Sequence, residues 1–258
     1  MGHHAGRRPA NEPVPMPRRS SLARTAALLA GAGLCLSLLA ALPLPAAAEE
    51  AAAPADLADR LAPCAACHGA EGRTVGDTYY PSIAGKPARY LYNQLVHFRD
   101  GRRQHAVMAA LLATLSDRYL GLVASHYAAQ PHAKQPAFEG ASAEQLALGE
   151  RLTVAGDSAR QIPPCQDCHG ERLTGVQPSI PGLRGLPTRY LEAQVSAWKQ
   201  GVRHADEPDC MGRIARRLEA AEITAISAFI ASQPYAPEAL PAASLPGRLP
   251  LDCGGVLP

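Results

Sequence analysis

The sequence lacks any concentration of positive charge outside its first 48 residues. The whole chain has 25 lysines and arginines against 23 aspartates and glutamates. Five of the arginines and one glutamate lie in residues 1–48, so the remainder has 20 basic and 22 acidic side chains and a formal charge of −2. No basic cluster is left to contact phosphates, and we expect no nucleic-acid partner.

Strand patterns and methionines are also scarce. No segment after residue 48 shows a convincing alternation of apolar and polar residues, which argues against a β-sheet fold. The remaining 210 residues suffice for two small domains rather than one large core. They contain only two methionines, Met108 and Met211. Each of these is therefore a candidate for a specific role.

The longest apolar run has the order of an export signal. Arg18, Arg19 and Arg24 precede the run, and small residues around Ala48 follow it. A membrane anchor is the alternative, but the run is barely long enough to span a bilayer and leads directly into the cleavage-like site. The sequence predicts that residues 1–48 are a signal peptide cleaved near Ala48 and that the mature protein is periplasmic.

One cysteine motif occurs twice. CAACHG begins at Cys64 and CQDCHG begins at Cys165, 101 residues later. The two CxxC pairs of a zinc ribbon usually lie about 15 to 20 residues apart, and a thioredoxin-like pair explains neither the histidine nor the duplication. CxxCH is the attachment signature of c-type haem, in which two thiols bond to vinyl groups and the imidazole binds iron.

The sequence therefore predicts two covalently bound haem c groups. The first would use Cys64 and Cys67 for attachment and His68 as iron ligand. The second would use Cys165, Cys168 and His169 in the same way.

The segments after the two motifs repeat each other at a spacing of 100 residues. The corresponding residues are Pro87, Arg89, Tyr90, Leu91, Gln94, Phe98 and Gly101 in the first copy and Pro187, Arg189, Tyr190, Leu191, Gln194, Trp198 and Gly201 in the second. In both copies these features predict a helix. Proline favours its first turn, the apolar residues have helical spacing, and glycine ends it. This is the pattern of a duplicated domain.

Further helices are predicted in both copies. Residues 115–131 and 218–234 read as amphipathic helices stopped by proline, and helices at 54–63 and 142–156 precede the haem motifs. Ser142 and Gln145 form a capping box at the start of the last of these. The predicted fold is all-α, with domains at 49–131 and 142–234, a linker at 132–141 and a Pro-rich tail at 235–258.

Each copy offers a second iron ligand. Met108 lies 40 residues after His68, and Met211 lies 42 residues after His169. A thioether is the usual high-potential partner of histidine in cytochromes c, so both methionines are predicted iron ligands. His105 in the first copy and Cys210 in the second remain alternatives.

Cys210 has a second interpretation. After residue 48, Cys210 and Cys253 are the two cysteines that belong to neither haem motif. In an oxidising compartment such a pair favours a disulfide, which would stabilise the folded state by about 2 to 4 kcal/mol. Free thiols and ligation by Cys210 remain open, because spacing alone does not prove connectivity.

Over residues 55–234, these motifs resemble the dihaem cytochrome c4 family. The resemblance implies class I cytochrome c domains related by a pseudo-twofold axis, with haems facing each other across the interface. It also implies that the carbonyls of Pro81 and Pro178 accept hydrogen bonds from the two haem-binding histidines. The cysteine pair and the long tail depart from the family pattern.

An iron with both axial positions filled can only gain and lose an electron. The predicted function is a one-electron carrier, not an enzyme, between a quinol-oxidising complex or a dehydrogenase and a terminal oxidase. Its partners would be redox proteins, and any membrane association would be peripheral and through them. The alternatives are a dedicated cytochrome subunit of a periplasmic dehydrogenase and a dihaem oxidoreductase such as a thiosulfate dehydrogenase or peroxidase, which needs an open or cysteine-ligated haem.

Overall fold

The computed structural model describes residues 57, 59–74, 80–132, 138–234, 240–245 and 247–256. The predicted signal peptide and residues 133–137 of the predicted linker lie outside these residues. Both predicted domains belong to one compact unit, residues 51–258.

The described residues are mainly helical, which confirms the all-α prediction. The first domain contains α1 (Ala62–His68), α2 (Ala88–Arg99), α3 (Ala106–Leu112) and α4 (Asp117–Ala128). The second contains α5 (Ala143–Val154), α6 (Gln166–His169), α7 (Thr188–Lys199), α8 (Cys210–Ala215) and α9 (Ala220–Ser232). The expectation of no strands needs a small correction, because β1 (Gly175–Val176) and β2 (Ile180–Pro181) form an antiparallel pair.

Local signals explain most helix boundaries. Pro87 and Pro187 are the N-cap residues of α2 and α7, one position before the predicted first turn. Both helices end before a glycine with positive φ, +79° at Gly101 and +73° at Gly201. The Ser142 side chain accepts a hydrogen bond from the backbone N–H of Gln145 at 3.2 Å, as the predicted cap requires.

Each domain buries its own apolar core. In the first, α2 packs against α4 around the buried Leu91, Val123 and Tyr127. In the second, α9 packs against α5 and α7, and Gly149 allows α5 to approach the backbone of α9 so closely that a Cβ there would collide with it. Within the described residues no single helix is long and apolar enough to cross a membrane, although α3 and α4, bent by 118°, together pass on length and composition.

Candidate functional site

A cavity that is lined mainly by the second domain gathers the residues of the second motif. Its volume is about 210 Å³, and Cys165, Cys168, His169 and Met211 all line it. The short helix α6 presents the second cysteine and the histidine, and the histidine is buried. Four residues predicted from the sequence therefore converge on one space.

A backbone carbonyl holds the histidine of each motif. His68 Nδ1 lies 2.9 Å from the oxygen of Pro81, and His169 Nδ1 lies 2.8 Å from the oxygen of Pro181. A carbonyl only accepts, so Nδ1 carries the proton and Nε2 keeps its lone pair. Burial is the main cause that lowers the pKa of both imidazoles, which favours the neutral form that binds metal.

The resemblance placed the second of these acceptors at Pro178, and that expectation is wrong. The 100-residue spacing that relates Pro87 to Pro187 also relates Pro81 to Pro181. The string Pro-Ser-Ile at Pro178 comes three residues earlier and belongs to the β1–β2 turn. The chain reverses direction between β1 and β2, and this brings the carbonyl of Pro181 to the His169 imidazole.

None of the four motif cysteines forms a disulfide with another described cysteine. Burial raises the pKa of the Cys64 thiol, and it raises those of Cys165 and Cys168 to about 11. A redox-active dithiol has the opposite shift, because its thiolate is the reactive species. Within the described part of the chain, no group of three or more His, Cys, Asp or Glu side chains is arranged to hold a metal ion. The geometry therefore favours neither the thioredoxin-like nor the zinc alternative.

Met108 lies in the first turn of α3 and is half-buried. The rival ligand His105 is the N-cap of that helix, and its Nδ1 accepts from the Met108 N–H at 3.3 Å. Its ring also meets Phe98 edge-on, with centroids 6.1 Å apart. His105 therefore stabilises the start of α3, and this favours Met108 over His105 as the iron ligand. Residues 75–79, which follow the first motif, lie outside the described part.

Met211 occupies an equivalent but not identical place. It is the second residue of α8, whereas Met108 is the third residue of α3. The cap of α8 is the buried carboxylate of Asp209, which accepts from the Gly212 N–H at 2.9 Å. Cys210 is joined to Cys253 in a disulfide, so its sulfur is not a free thiolate that could replace Met211.

The C-terminal tail contacts both domains. A Cys210–Cys253 disulfide was expected to hold the tail beside the second site, whereas its contact with the first domain was not predicted. Ala242 exchanges backbone hydrogen bonds with Gly175 and Gln177, next to β1. Further on, the Asn93 side chain of α2 donates to the carbonyl of Gly255 at 3.3 Å. Leu249 and residues 253–256 line the cavity of the second domain, so the tail forms part of its wall.

This arrangement predicts a tail that restricts access to the second site. We expect Cys253→Ser to leave both haems attached but to let carbon monoxide or cyanide bind the second haem faster, because the Met211 loop loses its cross-link. Stopped-flow absorbance would measure the two rates. Cys210→Ser/Cys253→Ser is the matched control, since it removes the thiol that the single variant leaves. Ligand-binding rates equal to those of the wild type in both variants would show that the disulfide does not restrict access to the second haem.

The two domains meet through a reciprocal pair of arginines. Arg103 and Arg203 form an isolated antiparallel bridge, and each guanidinium donates to the side-chain oxygens of both Gln94 and Gln194, at 2.7–3.0 Å. Arg103 also reaches the Tyr190 hydroxyl at 3.2 Å, and Arg203 approaches that of Tyr90 at 3.5 Å. This exchange of equivalent partners is the pattern expected of pseudo-twofold symmetry.

Arg203 is buried and Arg103 is half-buried, and neither has a carboxylate partner among the described residues. Arg203 is only 3% exposed, and neither arginine belongs to an ion pair between the described residues. Burial and the neighbouring Arg103 lower the pKa of Arg203 to about 10. The ring of Trp198 lies 3.7 Å from the Arg203 guanidinium carbon and offers a cation–π contact.

Comparison with known proteins gives consistent matches to one family. Residues 58–147 and 158–234 match the cytochrome c family. The thiosulfate dehydrogenase electron acceptor of Thiomonas intermedia is 38% identical over 79% of this chain and 92% of its own length. Cytochrome c4 of Pseudomonas aeruginosa is 33% identical over 76% of this chain and 96% of its own. A solved thiosulfate dehydrogenase from Marichromatium purpuratum superimposes with a TM-score of 0.59 and 35% identity, over 66% of this chain but only 36% of that one.

Proposed function

The chain belongs to the dihaem cytochrome c4 family of tandem cytochrome c domains, and we propose that it accepts electrons from a thiosulfate dehydrogenase. It carries two covalently bound haem c groups, which supply two one-electron couples. We infer that the electrons then pass to a terminal oxidase. The observation that carries the proposal is the similarity, over most of both chains, to a thiosulfate dehydrogenase electron acceptor.

The residues present fit the cofactor. We propose that the first haem is attached by Cys64 and Cys67 and ligated by His68 and Met108. The second would be attached by Cys165 and Cys168 and ligated by His169 and Met211. Two buried donors that line the second cavity, Ser179 Oγ and Trp198 Nε1, have no hydrogen-bond partner among the described residues. Such donors suit the carboxylates of a haem c group, since buried polar atoms are nearly always paired.

The protein residues orient both histidines and cover part of the second site. The carbonyls of Pro81 and Pro181 fix the two imidazole rings. The disulfide and the tail cover the second cavity, and the arginine pair holds the two domains face to face. A site closed in this way exchanges electrons and excludes substrate, which supports a carrier rather than an enzyme.

The electron count fits two haems. Joining two thiosulfate ions through a sulfur–sulfur bond forms tetrathionate and releases two electrons. One chain with two haem groups can accept both. The oxidoreductase alternative required an open or cysteine-ligated haem, and the disulfide at Cys210 disfavours the second of these.

We propose that this exchange takes place in the periplasm. The charged, apolar and small-residue order of residues 1–48 supports export, and covalent haem c with a disulfide suits an oxidising compartment. The partners would be redox proteins, and attachment to a membrane would occur only through them.

Reduction by a partner enzyme tests the proposal. The oxidised dihaem protein should be reduced rapidly by thiosulfate together with catalytic amounts of a thiosulfate dehydrogenase, with absorbance showing about two electrons taken up per chain. Thiosulfate alone is the control and should reduce it far more slowly. Fast reduction by thiosulfate alone would indicate an enzyme, and reduction only by a quinol-oxidising complex would return the protein to a general respiratory shuttle.

A further inference from the structure

A second cation besides Arg203 lines the second cavity, and it comes from the first domain. Lys86 precedes α2, yet its side chain lines the cavity that contains Cys165, Cys168, His169 and Met211. The side chain is half-buried and belongs to none of the ion pairs between the described residues. Lys86 therefore lines the site of the other domain, and no carboxylate of the described residues forms an ion pair with it.

The surroundings of Lys86 increase its electrostatic effect. Burial is the largest cause that lowers the pKa of its ammonium group, and the nearby Arg103 lowers it further, whereas Tyr90 opposes both. Removal from water weakens the screening of a charge. A partly desolvated ammonium group favours an anion, or a less positive centre, in the same cavity.

This cation has no counterpart in the second domain. The 100-residue spacing relates Lys86 to Leu186, which is buried in the core of the second domain. The arginine pair is reciprocal and acts on both domains alike. Lys86 breaks that symmetry, because only the first domain presents a lysine at this position.

We propose that Lys86 is a positioning charge that acts across the domain interface and raises the reduction potential of the second haem. Oxidation adds one positive charge to the iron, so a nearby ammonium group stabilises the reduced state relative to the oxidised state. If the ammonium pairs with a haem carboxylate, it acts in the same direction by neutralising a negative charge. The effect is on the second haem although Lys86 belongs to the first domain.

The test is a spectroelectrochemical titration of the whole dihaem protein. Lys86→Gln should increase the oxidised-to-reduced ratio of the second haem at a fixed potential by about 3- to 10-fold, the magnitude expected when one partly screened unit charge is removed. The ratio of the first haem should change less than that of the second. The second haem is identified as the one whose transition moves in Met211→His.

Two variants serve as controls, one for the charge of Lys86 and one for its position at the cavity. Lys86→Arg keeps the charge and should retain most of the wild-type potential. Arg89→Gln removes an exposed positive charge three residues further along, on α2, at a position that does not line the cavity. It should leave the second haem almost unchanged.

Several outcomes would overturn the inference. They are an unchanged second haem in Lys86→Gln, an equal shift in both haems, a shift confined to the first haem, or an equally large effect of Arg89→Gln. Loss of the second haem from both Lys86→Gln and Lys86→Met would assign the lysine to retention of the site and would also overturn it. The inference rests on the two proposed haem sites and not on the proposed electron donor. The titration contains no thiosulfate dehydrogenase, so its result does not depend on that partner.

Discussion

Replacing Cys165 and Cys168 together with serine is expected to leave one covalent haem per chain instead of two. Thioether bonds form only at cysteine, and after residue 48 the four cysteines that remain comprise the first motif and a disulfide pair. The mass of the denatured protein and its pyridine haemochrome absorbance measure the number of haems. The wild type should retain two haems through denaturation and extraction with acid acetone.

The same change in the first motif is the matched control. Cys64→Ser/Cys67→Ser should also retain one haem, and the variant with all four serines should retain none. A second haem that survives in the Cys165→Ser/Cys168→Ser protein would contradict the proposed attachment. A wild-type mass that corresponds to one haem would contradict the dihaem assignment itself.

Replacing either methionine is expected to lower the potential of one haem selectively. Met211→His exchanges a soft thioether for an imidazole, which stabilises the oxidised iron, and a decrease of about 0.1 to 0.3 V lies within the range of about 0.8 V that axial ligands span. Met108→His should act in the same way on the first haem. Potentiometric titration and the weak near-infrared sulfur-to-iron band would follow each site separately.

Each methionine variant is the control for the other. Loss of half of the near-infrared band in each single variant, and of all of it in the double variant, is the expected pattern. A Met108→His protein with an unchanged first potential would assign that ligand to His105. An unchanged potential of the second haem in Met211→His would exclude Met211 as its iron ligand. Cys210 could take that place only after its disulfide is reduced.

Local signals in the sequence were sufficient for most of the helices. Ser142 caps α5, proline begins α2 and α7, and glycine ends them, because each of these signals acts within a few residues. The proposed haem residues were also found from sequence, since cysteine, cysteine and histidine must be adjacent to attach and ligate one haem. The structure shows the second set converging on one cavity.

The choice between Pro178 and Pro181 shows where the sequence pattern misled. The string Pro-Ser-Ile is identical in both copies, but it is shifted by three residues relative to the rest of the repeat. Which carbonyl meets His169 depends on how β1 and β2 pair, and a match of letters does not contain that geometry.

The sequence by itself determined two haem motifs, two methionines, a duplicated helical domain and a spare pair of cysteines, because each depends on residue identity and short spacing. Only the tertiary structure decided that Arg103 and Arg203 exchange partners, that the tail reaches Asn93, and that Lys86 faces the other domain's cavity. These contacts join residues about 80 to 160 positions apart. Their geometry depends on how two complete domains pack together, and no local preference of the chain specifies that packing.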